Sequence, residues 1–507
     1  MDGQISIFDI MYPKYKINKP IRLIELFSGY GSQALALKYM GVSFEHWKTC
    51  EWAIKSIQAY KDIHMTDDNT DYSKDLTEEQ IKECLYNKGI SQNYNEPMSK
   101  EQVKRLSNAR TIYNNIQATH NLVNIQQVKG IDLDIKDTDK YEYILTYSFP
   151  CQDLSLAGLG KGMNDTSTRS GMLWEVERIL TECKEKPQIL LMENVPQVHQ
   201  AGDNAKNFHK WQVRLEEMGY KNYMQDLIAT DYGIPQTRNR CFMVSILGDY
   251  SYTLPKPIPL KLKLKDMLED QVDEKYYLSE KGMQYICGNA INKNLKDHID
   301  RSKAKLNKEI AYTINTKQDR RCGDANFILD GYGETTIENF LKIKNATKQG
   351  YLGAEEGDGV DISTRMQHHR GTVQKGKTQT LTTMGGENNG VVVLGNYSPS
   401  NHEASRIVDN NYSAPTIKEN HGTINATQTS DLRIRKLTPK ECFRLMGVKD
   451  EDYENCAKNQ SNASLYHLAG DSICTCCLMA IFGELLGINW QDKLNEVLNE
   501  ISNSSSN

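Results

Sequence analysis

The first half of this 507-residue chain alternates apolar runs with stretches of helical spacing, and this alternation limits the possible folds more than any other feature. The run IRLIELF at 21–27 predicts a buried strand, and SQALALKYMG after a glycine turn has the apolar spacing of a helix. FEHWKTCEW at 44–52 and AIKSIQAYKDIH at 53–64 repeat the pattern. Strands that alternate with helices are typical of an α/β domain with a mainly parallel sheet and helices on both faces.

The pattern continues further along the chain. Three more strands are predicted in YEYILTYSF, QILLMENV and RCFMVSILG, with a helix in MLWEVERILTECKE. Residues 66–120 are polar and weakly periodic, which predicts a helical insertion. The stretch AGDSICTCCLMAIFGELLG near the end predicts a closing amphipathic helix that returns to the sheet.

The character of the sequence changes after residue 250. Pro255, Pro257 and Pro259 interrupt both helix and strand, so this stretch predicts a linker. Residues 260–430 are rich in glycine, threonine and asparagine and contain short strand-like pieces. We therefore expect a second, smaller domain of β and irregular structure.

Composition narrows the class of protein. The formal charge of −5 argues against a strongly basic nucleic-acid binder, although a local basic cleft is compatible with it. The 12 cysteines follow no disulfide framework, and CTCC at 474–477 has no partner pair at zinc spacing, so no metal site is predicted. We see no secretory signal and no apolar run near 18 residues, which predicts a cytoplasmic protein with reduced thiols and no membrane segment.

The glycine turn in ELFSGYGS follows a predicted strand and opens a predicted helix. Gly29 and Gly31 permit a tight turn at a helix N-terminus, where ligands bind in α/β folds. Glu51 lies about 20 residues later at a strand end, where a carboxylate accepts ribose hydroxyls, and Trp52 beside it offers a ring to an adenine. The turn suits a nucleoside-containing cofactor, S-adenosylmethionine included; an empty turn, a helix-capping acid and a core tryptophan form the alternative.

Polar residues follow the other predicted strands. Cys151 stands in SFPCQDLS, Glu193 and Asn194 in MENV, and Arg238 and Arg240 in YGIPQTRNR. Strand ends in a parallel sheet share one rim, and a thiol near arginines has a lowered pKa that activates it as a nucleophile. Taken singly, each motif also fits a core thiol, a helix cap or a solvated turn.

The ordered set of motifs resembles the DNA cytosine-5 methyltransferases. It comprises ELFSGYGS, CEW, SFPCQDLS, MENV, YGIPQTRNR, RKLTPKECFRLMG and AGDSI, and it extends from residue 21 to about 486. The resemblance implies a Rossmann-like, S-adenosylmethionine-dependent methyltransferase domain. It also implies that the variable interval 250–430 is the target recognition domain.

The resemblance assigns a role to each residue of the rim. Cys151 would add to C6 of the target cytosine, and Glu193 would hold the N3/N4 edge of that base. Asn194 would hold the loop that carries the cysteine. Arg240 would contact the flipped base, and Arg238 the site and its phosphate.

Ten residues stand at the positions that bind S-adenosylmethionine in the family. They are Phe27, Gly29, Gly31, Glu51, Trp52, Asn124, Pro150, Leu173, Asp471 and Ser472. Two depart from the usual pattern: Asn124 stands where the family has Asp, and Asp471 where many members have Asn. Asn124 would still accept a hydrogen bond from adenine N6, and Asp471 would accept from the methionine ammonium but cannot donate.

The resemblance also divides the chain. The expected units are an N-terminal extension (1–19), a catalytic and cofactor-binding domain (20–249), the target recognition domain (250–430), a hinge segment (431–465) and a C-terminal helix (466–507). Within the extension, QISIFD resembles the peptide that binds the bacterial sliding clamp, with Gln4, Ile7 and Phe8 as anchors. Docking of this segment on the first helix is the alternative.

The leading hypothesis is a monomeric, sequence-specific enzyme that methylates double-stranded DNA, of the kind found in restriction-modification systems. A transfer-RNA cytosine-5 methyltransferase carries the same motifs, although the long interval before RKLTPKE favours a duplex reader. A catalytically silent DNA-binding relative is disfavoured by the intact Cys151 and Glu193. A nicotinamide-dependent dehydrogenase would leave the Pro-Cys motif without a role.

Overall fold

The computed structural model describes residues 12–149, 172–200, 202–236, 238–276 and 438–503. Between 341 and 436 it describes the backbone of short strands. Pro150 and Cys151 lie outside the described residues, as do Gln4, Ile7 and Phe8.

A six-stranded sheet forms the centre of the main domain. Its strands are β1 (Ile21–Leu26), β2 (Phe44–Cys50), β3 (Glu142–Tyr147), β4 (Ile189–Asn194), β5 (Tyr220–Ile228) and β6 (Asn239–Leu247). They lie in the order β2-β1-β3-β4-β6-β5, and only β6 runs antiparallel to its two neighbours. The predicted Rossmann-like fold with a mainly parallel sheet is confirmed.

Helices connect these strands and close the chain. In the first half they are α1 (Ser32–Tyr39), α2 (Ile54–His64), α3 (Glu78–Lys88), α4 (Lys100–Lys104), α5 (Ala109–Ala118), α6 (Leu173–Glu182), α7 (Gln197–Gln200) and α8 (Gly202–Glu217). After the interval they are α9 (Pro439–Arg444), α10 (Asp450–Ala457), α11 (Asn462–Asp471), α12 (Thr475–Leu486) and α13 (Trp490–Asn503).

The sheet separates two apolar cores, because alternate strand residues point to opposite faces. Along β4, Ile189 and Leu191 join the core that contains α1 and α12. Leu190 and Met192 join the core that contains α6 and α8. The predicted insertion forms a third core among α3, α4 and α5.

The C-terminal region differs from the prediction of one amphipathic closing helix. It forms three helices, and α12 is buried on nearly all sides because it packs against α1 beneath the sheet. The amphipathic helix is α13, which buries one face.

The stretch Asn462–Leu486 is long and apolar enough to cross a membrane, contrary to our expectation for this chain, but 89% of its apolar window is buried in the fold. That burial is typical of a core helix in a soluble protein.

The segments on either side of the predicted boundaries pack onto the main domain. The Tyr15 amide donates to the Ser251 carbonyl and the Ile17 amide to that of Leu485, both at 2.8 Å. In the proline-rich stretch, the Ile258 amide donates to the Asp231 carbonyl at 2.9 Å. The residues next to these prolines are apolar enough to join the core, so the described part of the stretch is packed rather than a free linker.

Short strands occupy the interval that was predicted to be mostly β. They are β7 (Leu341–Lys344), β8 (Tyr351–Ala354), β9 (Gly359–Val360), β10 (Val373–Gln374), β11 (Gly390–Val391), β12 (Gly395–Asn396), β13 (Arg406–Val408), β14 (Ala426–Gln428) and β15 (Ile434–Lys436). They pair as β7-β8, β10-β9-β11 and β12-β13-β14-β15.

Candidate active site

Several predicted site residues among those that the structure describes lie at one edge of the sheet, where the parallel strands end. Glu51 follows the end of β2, and Glu193 is the next-to-last residue of β4. Because β6 is antiparallel, its first residues reach the same edge, where Asn194 pairs with Cys241 and Glu193 with Phe242. Arg240 therefore lies beside the end of β4 although the two residues are far apart in sequence.

The glycine turn has a left-handed backbone. Phe27 has φ +58°, which is unusual for a bulky residue, and its amide donates to the Cys50 carbonyl at 2.8 Å. Gly29 has φ +54°, and a Cβ added there would meet no atom within 4 Å. Gly31 has φ +84°, but a Cβ there would lie 2.4 Å from His64 Nε2. Gly29 thus borders open space, whereas Gly31 is needed for close packing on α2.

Glu51 binds the glycine turn. Its carboxylate accepts hydrogen bonds from the Gly29 amide at 3.1 Å and from the Ala53 amide at 2.8 Å. Burial is the main cause that raises the pKa of Glu51 to about 7; the Ala53 and Gly29 amides oppose this shift, and Asp471 adds a smaller contribution to it. This carboxyl group can therefore change its charge near neutral pH.

Asn121, which sequence reasoning missed, holds the backbone of Glu51 on both sides. Its Oδ1 accepts from the Glu51 amide at 3.0 Å, and its Nδ2 donates to the Glu51 carbonyl at 2.9 Å. The side chain is 5% exposed. No local pattern announces this contact, because it joins residues 70 positions apart.

The other predicted cofactor residues differ in exposure. Trp52 is partly buried against the core of the insertion, and Leu173 is fully buried in the core that Phe27 borders. Asn124 is buried, and its Oδ1 accepts from the Gln126 amide at 3.1 Å. The Asn124 oxygen thus already stabilises its own turn.

The other side of the site is held by side chains. Arg240 Nε lies 3.1 Å from Glu193 Oε1. Burial raises the pKa of Glu193, and Arg240 and Arg238 oppose that shift. Asn194 Nδ2 donates to the Phe149 carbonyl at 2.9 Å, so it binds the residue directly before Pro150. This last contact fits the predicted role of Asn194.

Arg238 is buried beside the site and binds backbone carbonyls. Its guanidinium donates to the Gly470 carbonyl at 3.1 Å and to the Ser472 carbonyl at 2.5 Å, and the residue is 4% exposed. Burial and then Arg240 lower its pKa to about 10. Arg238 thus joins the start of β6 to the end of α11, and its contact with a phosphate stays a prediction.

The end of α11 contributes an acidic group and a packing contact. Asp471 is exposed, and its neighbours Gly470 and Ser472 contact Arg238 and Tyr30, which places it between the glycine turn and Arg238. Its charge raises the pKa of both Glu51 and Glu193. The Ser472 hydroxyl accepts from the Tyr30 hydroxyl at 2.9 Å and donates to the Ala469 carbonyl at 2.9 Å. Ser472 therefore ties α11 to the glycine turn.

Glu25, a second residue without a predicted role, lies beneath the turn. Its carboxylate accepts from the Tyr60 hydroxyl at 2.5 Å and from the Ala34 amide at 3.3 Å. Burial raises its pKa to about 7. An acid inside the apolar run IRLIELF was the available signal, because a buried carboxyl group in a strand needs hydrogen-bond partners.

A polar cluster lies at the same edge on the opposite face of the sheet. His199 Nε2 is 2.8 Å from Asp226 Oδ1, and these groups and the Cys241 thiol lie within 4.8 Å of one another. Burial, followed by Asp226, raises the pKa of the Cys241 thiol. The cluster acts as a brace between α7 and β5.

The chain is similar to known DNA methyltransferases. A model of the C-5 cytosine-specific DNA methylases matches residues 91–487. The orphan methyltransferase M.SssI of Spiroplasma monobiae is 36% identical over 270 residues, which cover 52% of this chain and 68% of that protein. The type II methyltransferase M2.ScrFI of Lactococcus lactis subsp. cremoris is 28% identical over 470 residues, which cover 92% and 99%. The type II methyltransferase M.NlaX of Neisseria lactamica is 41% identical over 149 residues, which cover 29% of this chain and 45% of that protein.

The family model spans most of the chain, and the Lactococcus relative aligns along nearly its whole length. The predicted family is confirmed: this chain belongs to the C-5 cytosine-specific DNA methylases.

Proposed function

We propose that this enzyme flips a cytosine out of double-stranded DNA and methylates C5, with Cys151 as the nucleophile and S-adenosylmethionine as the methyl donor. The hydrogen bond from Asn194 to the Phe149 carbonyl is the observation that carries the proposal. It ties the start of the Pro-Cys segment to the residue that follows Glu193. The last described residue before the Pro-Cys motif is thereby tied to the end of the strand that carries Glu193.

The described residues fit S-adenosylmethionine. Space is open beyond the Cα of Gly29, and the Ser28 hydroxyl is buried without a hydrogen-bond partner among the described residues. The Glu51 carboxylate accepts from the Gly29 amide, and Asp471 is exposed next to Ser472, whose hydroxyl bonds Tyr30 of the glycine turn. When bound, this cofactor supplies an electrophilic methyl group, and the carboxyl groups of Glu51 and Asp471 suit its sulfonium and ammonium charges. Glu51 would hold the ribose, with Phe27 and Trp52 beside the adenine.

The chemistry begins with a weak electrophile. Cytosine C6 resists attack, so the Cys151 thiolate needs help from groups that relieve charge on the ring. The thiolate adds to C6, and the electron pair of the C5–C6 bond makes C5 nucleophilic toward the methyl group. A base then removes the C5 proton, which restores the double bond and expels the thiolate.

Glu193 and Arg240 serve the base. The raised pKa of the buried Glu193 favours its protonated form, which can bind the N3/N4 edge and donate its proton to N3 as the thiolate attacks C6. Arg240 at 3.1 Å orients that carboxylate and contacts the flipped cytosine. The target must leave the duplex first, because neither C5 nor C6 is accessible in stacked DNA.

The proposal extends to the domains and partners of the enzyme. Residues 250–430 form the target recognition domain, 431–465 the hinge, and the enzyme works in the cytoplasm as a monomer. Gln4, Ile7 and Phe8 bind the sliding clamp. A pull-down of the clamp by the full chain tests the last point; equal recovery by a variant that lacks residues 1–10 would overturn it.

A methyl-transfer assay tests the function. The enzyme is incubated with tritiated S-adenosylmethionine and either unmethylated DNA or transfer RNA, beside the variant Cys151→Ala. We expect label in DNA with the wild type only. Label in transfer RNA alone would favour the RNA enzyme, and label in DNA with the variant would exclude Cys151 as the nucleophile.

A further inference from the structure

One turn of the helical insertion, residues 91–96, lies beside the site, and we name it the Tyr94 turn. It starts beside the cofactor residues of β2: the Ser91 amide donates to the Trp52 carbonyl at 2.7 Å, and the Ile54 amide to the Ser91 carbonyl at 2.9 Å. The turn is thus anchored one residue from Glu51. The matched family positions assign no role to it.

The turn is internally braced. The Ser91 hydroxyl donates to the Glu96 carbonyl at 2.7 Å. Asn93 Oδ1 accepts from the Asn95 and Glu96 amides at 3.0 and 3.2 Å. These bonds hold Tyr94 at φ +63°, a left-handed conformation that is costly for an aromatic residue. Such strain persists only where the surroundings enforce it.

Tyr94 packs against α11, the helix that ends at Asp471. Its ring centroid lies 3.9 Å from that of His467, with 47° between the planes. His467 is on α11, one helical turn before Asp471, so the two side chains share a face of that helix. Tyr94 therefore spans from the Trp52 side of the site to the helix that carries Asp471.

We propose that Tyr94 is a positioning residue for the cofactor. Its ring packs on His467 and holds α11, and with it Asp471, toward Glu51. This inference rests on the proposed function, because it presumes that S-adenosylmethionine binds between Glu51 and Asp471. The insertion thereby closes one side of the cofactor site.

The test measures the dissociation constant for S-adenosylmethionine by calorimetry, and steady-state kinetics with DNA, on the full chain. Tyr94→Gly removes the ring, and glycine relieves the positive φ, so backbone strain cannot account for a loss of affinity. We expect Kd and KM for the cofactor to rise about fivefold, with kcat at saturation and KM for DNA unchanged. Tyr94→Phe keeps the ring and should stay within about twofold of the wild type.

A matched control and a second variant sharpen the result. Tyr86→Ala changes a 41% exposed tyrosine of the same insertion and should leave cofactor binding unchanged. His467→Ala should reproduce the loss, and its combination with Tyr94→Gly should add little.

The failures are distinguishable. Wild-type affinity in Tyr94→Gly, or a fall in kcat at unchanged KM, would overturn the role of Tyr94 and leave the proposed function standing. A wild-type protein that does not bind S-adenosylmethionine would overturn both.

Discussion

The two sides of the site are built by different means. The cofactor wall, which comprises the glycine turn 27–31 and Glu51, is held by backbone amides that donate to one carboxylate. The base wall, which comprises Glu193, Asn194 and Arg240, is held by side chains that reach between strands and loops. Changes in the cofactor wall should therefore act on cofactor affinity and stability, and changes in the base wall on the rate of the chemical step.

Glu193→Gln should give the largest effect. The amide keeps the shape of the side chain but cannot transfer a proton, so we expect kcat to fall about 10²–10³-fold. Binding of S-adenosylmethionine should change by less than about twofold, since the cofactor wall is intact. Glu177→Gln is the control, because Glu177 also pairs with an arginine, at 2.7 Å, but on an outer helix. Equal loss of kcat in the two variants would contradict the assignment of Glu193 to the chemical step.

The two glycines of the turn should have different roles: Gly31 allows close packing, and Gly29 borders the space for the cofactor. Gly31→Ala forces a Cβ against His64, so the free energy of unfolding should fall by about 3 kcal/mol in denaturant titrations. Gly29→Ala should lose about 1 kcal/mol of stability and about tenfold in cofactor affinity, because its Cβ would fill the open space.

Gly41→Ala is the control for Gly29, because Gly41 has φ +68° and equally open surroundings away from the rim. It should lose a similar stability and no cofactor affinity. Equal cofactor affinity in the two alanine variants would show that Gly29 does not border the ligand.

The pH dependence of cofactor binding should report on Glu51. Its folded pKa of about 7 is raised, so its contribution to stability is full at low pH and is lost as pH rises through 7. A cationic ligand favours the carboxylate, so affinity should rise about tenfold between pH 6 and 8, with proton release on binding. Calorimetry in buffers of different ionisation enthalpy measures both quantities.

Two other acids bear on that profile. Asp471 faces Glu51, and Glu25 beneath the turn also has a pKa of about 7. Glu51→Gln should flatten most of the pH dependence, and the remainder should vanish in the double variant with Glu25→Gln. An unchanged slope in Glu51→Gln would exclude this assignment.

Asn121→Ala should give the smallest effect. It removes both hydrogen bonds to the Glu51 backbone, and we expect cofactor affinity to fall about fivefold. Asn115→Ala offers a matched control, since Asn115 is also 5% exposed and donates to Gln58 at 2.8 Å away from the site. Asn115→Ala should lose stability without loss of affinity; loss of affinity in both would indicate a general effect of destabilisation.

The cofactor wall was largely predictable from sequence. A tight left-handed turn favours glycine, and a buried strand requires an apolar run. The strand in IRLIELF and the turn at Gly29 could therefore be predicted from the local sequence. The partners Asn121 and Glu25 were not predicted, because their roles depend on contacts across the fold.

The base wall and the edge of the sheet were harder to predict. Strand β5 was missed because its sequence YKNYMQDLI is polar and half-exposed, as suits an edge strand. The antiparallel insertion of β6 between β4 and β5 also has no local signature, yet it brings Arg240 to Glu193. Burial of Arg238 against α11 followed from long-range packing alone.

The bond between Cys151 and C6 of a cytosine in DNA can be trapped. A duplex with 5-fluorocytosine at the target position is incubated with the enzyme and S-adenosylmethionine; fluorine at C5 cannot leave as a proton does, so the thiolate cannot be expelled. We expect a protein–DNA adduct that survives denaturing electrophoresis, with wild type and not with Cys151→Ser. An adduct that persists in Cys151→Ser, or no adduct from a wild type that methylates ordinary DNA, would contradict it.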